Sequence, residues 1–315
     1  IKFYEKRIRR IIPALYMVLI TLVFYSFFFQ APYFAKDLSQ SIFFTPTFLQ
    51  NFLNIYEAAN YFSLSYDFKS LGHTWSLSIE EQFYLFYPLA ILIFLSKSRN
   101  FLNLFVIIFF LLSLSAYLYL GSDEKYTIWL FYLTPSRIWE ILIGCLIALN
   151  ITNIQNKKYL SVIGLLMVLI SILIQDFYNL QLYLRIFVVI GTSLILISSF
   201  ENENSLIEKI FKNKIIVFFG LISYSLYLWH VPIYSIFRDF ISYELKFYEN
   251  FILILLAIYL SFISFKYIET PFRKNNYISS KFVFTFFFFG LILFPTYGFV
   301  GHFTDGFEKK KIESI

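Results

Sequence analysis

The sequence predicts an all-α fold: a polytopic membrane bundle of about nine transmembrane helices plus one interfacial or re-entrant helix. Three observations carry this prediction. Hydrophobic residues fill 59% of the 315 positions and charged residues only 15%. The mean hydropathy is +0.68. Apolar runs close to the roughly 20 residues that span hydrocarbon recur along the chain.

Residues 1–10 carry five basic side chains, Lys2, Lys6, Arg7, Arg9 and Arg10, and lead into a first span near 11–29. They read as a cytoplasmic loop rather than a signal peptide. The first residue is Ile, so the chain is expected to be a piece of a longer protein. Residues 38–55 are half polar, with Gln40, Gln50, Asn51 and Asn54. They are expected to lie at the interface or re-enter, because unpaired polar groups are costly in hydrocarbon.

Further spans are placed near 77–95, 101–120, 129–149, 159–174, 184–200, 215–237, 251–268 and 282–299. Charges mark the loops between them, including Lys97 and Arg99, Lys125, Lys157 and Lys158, Lys209 to Lys214, Arg238 with Lys246, and Lys274. With the N-terminus inside, the larger share of the 26 Lys and Arg residues is cytoplasmic, as the positive-inside bias requires. The C-terminus is then extracytoplasmic. Residues 1–299 read as one membrane domain, and 300–315 as a polar extracytoplasmic tail.

The net charge of +6 needs no nucleic acid as partner, since cytoplasmic lysines beside anionic lipid account for it. A single cysteine, Cys145, excludes an internal disulfide, and with three histidines no metal centre is expected.

Four polar islands interrupt the apolar pattern. In Phe3-Tyr-Glu-Lys-Arg-Ile-Arg-Arg-Ile-Ile-Pro13, Arg7 and Arg10 share a helical face, a spacing that suits phosphate oxygens as well as lipid headgroups. In His73-Thr-Trp-Ser-Leu-Ser-Ile-Glu-Glu-Gln-Phe-Tyr-Leu-Phe-Tyr-Pro88, Glu80 and Glu81 point about 100° apart on a helix. Glu80 is expected to turn into the bundle, with Glu81 at the boundary and His73 in the interfacial aromatic belt. In Thr134-Pro-Ser-Arg-Ile-Trp-Glu140, Arg137 pairs either with Glu140 or with Glu80.

The fourth island is Gly220-Leu-Ile-Ser-Tyr-Ser-Leu-Tyr-Leu-Trp-His-Val-Pro232, with His230 deep in a span. A lone buried histidine is more often structural than a proton carrier. Tyr224 and Tyr227 can bond between helices. Lys266, Glu269 and Arg273 read as a helix-end charge group.

Taken together, these islands resemble the membrane acyltransferase-3 family, the multi-spanning O-acyltransferases that modify bacterial surface glycans. The resemblance rests on Phe3–Pro13, His73–Pro88, Ser136–Gly144, Gly220–Pro232 and Tyr267–Arg273, in that order. It implies transfer of an acyl group, most often acetyl, from cytoplasmic acyl-CoA to a sugar hydroxyl outside the bacterial inner (cytoplasmic) membrane. The acceptor would be lipopolysaccharide O-antigen, peptidoglycan or an exopolysaccharide, and no cofactor stays bound.

Arg7 and Arg10 match the family's Arg-x-x-Arg element, implicated in engaging the donor. Glu80 with Arg137 would form the polar centre of the bundle, and His230 is a secondary catalytic candidate. The family's preferred histidine lies on a first helix, which with a second is expected upstream of Ile1. Members with eleven spans also carry an SGNH hydrolase-like domain, expected beyond residue 315. Two other readings stay open on the residues alone: a transporter or flippase whose path is lined by Glu80, Arg137 and His230, and a non-catalytic membrane partner of an acyl-modifying complex.

Overall fold

The computed structural model describes residues 1–60, 64–95, 98–150, 159–175, 181–199, 206–241, 243–274 and 278–308, and no strand occurs among them. Lys97, Lys157, Lys158 and the last part of the tail, 309–315, lie outside the described residues.

In chain order the helices are α1 (Lys2–Phe28), α2 (Pro32–Phe44), α3 (Gln50–Ala58), α4 (Trp75–Leu95), α5 (Arg99–Leu120), α6 (Thr127–Tyr132) and α7 (Ile138–Asn150). They continue as α8 (Leu160–Leu173), α9 (Gln181–Ser199), α10 (Leu206–Phe211), α11 (Lys214–Arg238), α12 (Phe247–Ser264), α13 (Thr270–Arg273) and α14 (Ser280–Phe303). Among the described residues seven helical segments are long and apolar enough to cross a bilayer, and α7 and α8 are shorter apolar helices. The protein is a polytopic helical membrane protein.

Three elements differ from expectation, each for a local reason. Residues 38–55 form parts of two helices, α2 and α3, rather than one. Pro46 brings no amide to the ladder, and Phe48 turns the chain with a φ of 56°. The expected span at 129–149 is broken into α6, a single 3₁₀ turn over Thr134–Ser136, and α7. Pro135 lies in that turn, and the Ser136 hydroxyl donates to the carbonyls of Leu130 (3.0 Å) and Leu133 (2.7 Å). The span expected near 251–268 starts earlier, at Phe247, where Glu249 accepts from the Lys246 amide at 2.8 Å. It then widens into a π turn at Phe265–Glu269 before α13.

The chain divides into two compact units, residues 1–78 with 218–315, and residues 79–217. In the first, α1 is the central helix. Ile11, Ile12, Leu15, Val18, Leu19 and Leu22 are all at most 3% exposed, so apolar contact covers most of the helix, while Ile20, Phe24 and Phe28 keep one face open. Polar anchors set the direction of its neighbours. Tyr224 donates to the Ile11 carbonyl at 2.9 Å and Tyr25 to Asp239 at 2.7 Å, so α11 runs parallel to α1. Tyr16 donates to Phe287 O at 2.7 Å and Tyr297 to Ser26 at 3.2 Å, so α14 does too. A Cβ on Gly290 would fall 2.0 Å from the Tyr16 ring; the absent side chain is what lets α14 sit against α1.

In the second unit, Phe83, Leu102, Val106 and Leu142 form a small core between α4, α5 and α7. The hydroxyl of Ser113 on α5 accepts from the Trp139 amide at 2.9 Å and donates to Pro135 O at 2.5 Å, which holds the broken segment in place. Helices α8 and α9 cross at Gly164 and Gly191, where a Cβ on either would meet the other's carbonyl oxygen at 2.4 or 2.7 Å.

Candidate active site

The N-terminal turns of α1 sort their arginines by partner. Arg9 is 3% exposed. It donates to Glu5 (2.9 Å), Phe272 O (3.1 Å) and Ile278 O (2.7 Å), so it pins the end of α13 and the start of the next segment to α1. The sequence reading had not singled it out. Arg7 is half-buried and Arg10 exposed. Arg10 lies close enough to Glu269 to act on its charge.

Glu269, 1% exposed, accepts from Arg273 at 3.0 Å and from the hydroxyl of Ser225 at 3.3 Å. The group expected to be only a helix-end charge cluster therefore ties α11 to α13 beside Arg10. It sits in the π turn, an irregularity that often accompanies functional sites.

A histidine pair lies a short way along α11. His73 is in a 3₁₀ turn, Gly72–Thr74, that runs straight into α4. Expected at the interface, it is instead buried, at 8% exposure. Its ring stands 5.1 Å from that of His230 and 5.0 Å from that of Tyr227, centroid to centroid. The Tyr227 hydroxyl donates to the His73 carbonyl at 2.8 Å, the bond between helices that this tyrosine was expected to supply.

Both ring nitrogens of His73 are buried and have no hydrogen-bond partner among the described residues. An unsatisfied buried polar atom costs about 1–3 kcal/mol, so packing alone gives no reason for an imidazole here.

His230 is neither lone nor buried, as the sequence had suggested; it is exposed on α11. Its Nδ1 lies 2.8 Å from the carbonyl of Tyr227. A carbonyl only accepts, so Nδ1 carries a hydrogen, and in the neutral ring Nε2 is the nitrogen with the lone pair. His230 lines an open cavity of about 490 Å³. Ser225, the partner of Glu269, and His230 are five positions apart on one helix, about 7–8 Å of helical rise.

A buried polar network holds the loop before α4. Lys69 donates to Glu57 at 2.5 Å and lies 3.9 Å from Asp37. Asn54 donates to Gly72 O at 2.8 Å, and Thr45 and Thr74 hydroxyls meet at 3.3 Å. The hydroxyls of Ser70 and Ser235 also pair, fastening the loop to α11. Burial pushes the carboxyls of Asp37 and Glu57 above the usual carboxylate range, while Lys69 opposes the shift. The polarity of α2 and α3 was visible in the sequence; the partners of Lys69 and Glu57 were not.

Glu80 and Arg137 belong to the second unit. Glu80, expected inward, is exposed, while Glu81, expected at the boundary, is half-buried. The reversal follows from packing: α4 turns Leu77, Ser78, Ile79 and Phe83 inward, which leaves Glu80 on the outer face. Of the two pairings expected for Arg137, the one within its own segment is present, with Glu140 at 3.0 Å. Its Nε donates to Phe131 O at 2.9 Å, and its guanidinium lies over the Phe131 ring at 4.9 Å. No group of three or more His, Cys, Asp or Glu suited to a metal occurs among the described residues.

A family profile described as an acyltransferase domain matches residues 1–266. The chain is 31% identical over 298 residues to a peptidoglycan O-acetyltransferase OatA of Listeria monocytogenes, a match covering 88% of this chain and 47% of that protein. It is 29% identical over 306 residues to an O-acetyltransferase OatA of Staphylococcus aureus, covering 90% and 49%. The chain thus spans about half the length of the curated relatives it matches. No solved structure matches. With the profile covering most of its length, this chain belongs to the acyltransferase-3 family of membrane O-acyltransferases.

Proposed function

We propose that this chain is the membrane part of an O-acetyltransferase that moves an acetyl group from acyl-CoA to a hydroxyl of a cell-surface glycan. Peptidoglycan is the favoured acceptor, because a relative 31% identical is a peptidoglycan O-acetyltransferase. The protein would lie in the bacterial cytoplasmic membrane, with the basic end of α1 cytoplasmic and the end of α14 outside.

The observation that supports this reading is that α11 carries His230 and, five positions earlier, Ser225, which bonds Glu269 beside the basic cluster. The basic cluster has guanidinium forks suited to the phosphates of the donor, with Arg7 and Arg10 as its binding residues and Arg273 beside them. The histidine pair has basic nitrogens, and His230 lies within two helical turns of Ser225, the partner of Glu269. The flexible arm of an acyl-CoA between phosphates and thioester spans such a gap.

His230 is the proposed general base. Its Nε2 takes the proton of the sugar hydroxyl as that oxygen bonds to the acyl carbon; the carbon–sulfur bond then breaks, and the leaving thiolate takes that proton back from His230, which regenerates the base. His73, packed edge-on against His230, is proposed to orient its ring. Glu80 and Arg137 keep a supporting part, Arg137 by holding the start of α7 to Phe131 and Glu140.

The test is glycan acetylation in cells. The full-length protein is expressed in a strain lacking it, and base-released acetate from purified cell wall is measured for wild type and for Arg7→Ala with Arg10→Ala. Acetate is expected to fall at equal protein abundance. Unchanged acetate sinks the donor assignment.

A further inference from the structure

The cavity beside His230 differs in charge from the basic cluster. Its wall carries two carboxylates, Asp67 and Glu244, against one guanidinium, Arg238. Arg238 is partly engaged already, because its Nη1 donates to Tyr243 O at 3.0 Å. A polyphosphate would meet like charge here. The cavity is therefore a poor place for the donor.

The remaining lining favours a different ligand. The rings of Tyr66 and Tyr234 give apolar faces with polar edges, and Asn250 adds an amide. An uncharged polyhydroxyl ring presents C–H faces to aromatics and several O–H donors to carboxylates, which only accept when ionised. Its volume of about 490 Å³ lies within the roughly 300–1,000 Å³ of small-molecule sites. Tyr66 and Asp67 belong to the loop that the Lys69–Glu57 pair holds. The same buried network thus fixes this wall and His73 together.

We infer that this cavity is the binding site for the acceptor sugar, an uncharged pyranose ring of a glycan, seated with the reacting hydroxyl against Nε2 of His230. The inference rests on the acyltransferase reading above and adds to it a site with named residues. Asp67 and Glu244 accept ring hydroxyls, Tyr66 and Tyr234 cover the ring faces, and Arg238 holds the adjoining loop.

Hydrogen–deuterium exchange on the full-length protein in detergent tests this, with chitotetraose as the glycan probe and CoA as the anionic one. Chitotetraose is expected to slow exchange about twofold or more in peptides covering 64–70 and 243–250. That protection should vanish in Asp67→Asn and in Tyr234→Ala and persist in Tyr234→Phe. Asp67 is exposed, so its variant carries the test if Tyr234→Ala fails to fold. CoA should protect peptides covering residues 5–12 and leave the cavity peptides unchanged. Absence of cavity protection by chitotetraose, protection that survives Asp67→Asn, or cavity protection by CoA overturns the inference. Failure of CoA to protect residues 5–12 instead overturns the donor assignment and leaves the sugar site standing.

Discussion

His73 and His230 meet edge-on, ring centroids 5.1 Å apart and planes at 71°, although one lies in a loop turn and the other in the last turns of α11. His73 has two buried, unpartnered ring nitrogens, whereas the Nδ1 of His230 is bound to its own helix. His73→Phe keeps the ring and removes the orphaned nitrogens. It should raise the thermal midpoint in detergent while glycan acetylation falls, the opposite signs expected of a residue retained for chemistry. A variant that loses stability and keeps full activity would show the imidazole to be structural.

His230→Ala removes the proposed base and leaves an exposed position on α11. General base catalysis contributes about 10²–10⁴-fold, so acetylation rates should drop by at least the lower figure at equal abundance. A drop of less than tenfold would reassign the proton.

The arginines of α1 should separate by phenotype. Arg9→Ala leaves the part-buried carbonyls of Phe272 and Ile278 without their donor, at a cost of about 0.5–1.5 kcal/mol for each bond lost. Protein level should fall. Arg10→Ala, on an exposed side chain, should keep protein level and lower activity. Quantitative immunoblotting beside acetate release distinguishes them, and equal loss of protein in both would refute the division.

Lys69 and Glu57 are each 7% exposed at the side chain and bonded at 2.5 Å. Removing one partner of a buried ion pair costs about 3–5 kcal/mol, so Lys69→Met should sharply lower the unfolding midpoint. Lys69→Met with Glu57→Gln should recover part of that loss, because the second change removes the stranded charge. A double variant no better than the single one argues against the pair.

Asp239 gives a pH signature. It accepts from Tyr25 at 2.7 Å and Gln30 at 2.8 Å, yet burial holds its carboxyl above the usual carboxylate range. The folded chain then binds this proton more tightly than the unfolded chain, whose value is about 3.9. Its contribution to stability therefore grows as pH falls through the folded value toward the unfolded one, and is lost as pH rises through the folded value. As pH falls from neutral toward the unfolded value, the wild-type midpoint should rise relative to that of Asp239→Asn. Parallel midpoints across that window would contradict the assignment.

Much of the fold was legible because long apolar runs leave the backbone one solution in lipid, a helix. The half-polar stretch around Gln50 and Asn54 was correctly set apart from the spans. The break at Pro135 and the π turn ending at Glu269 were not visible. Pro135 and the Ser136 bonds to Leu130 and Leu133 fix the first locally, whereas the buried Glu269 of the second finds a partner, Ser225, 44 residues away. Rotation of α4 was likewise hidden, and with it the exposure of Glu80.

By itself the sequence determined the all-helical membrane class, the family, and the polar strings in which candidate residues lie. Tertiary structure alone decided which of those residues meet. Arg9 became an anchor while Arg10 stayed exposed, and His73 left the interface to join His230. The reason is physical: hydropathy depends on composition along a segment, whereas a hydrogen bond or ring contact depends on which faces of distant helices are brought within a few ångströms.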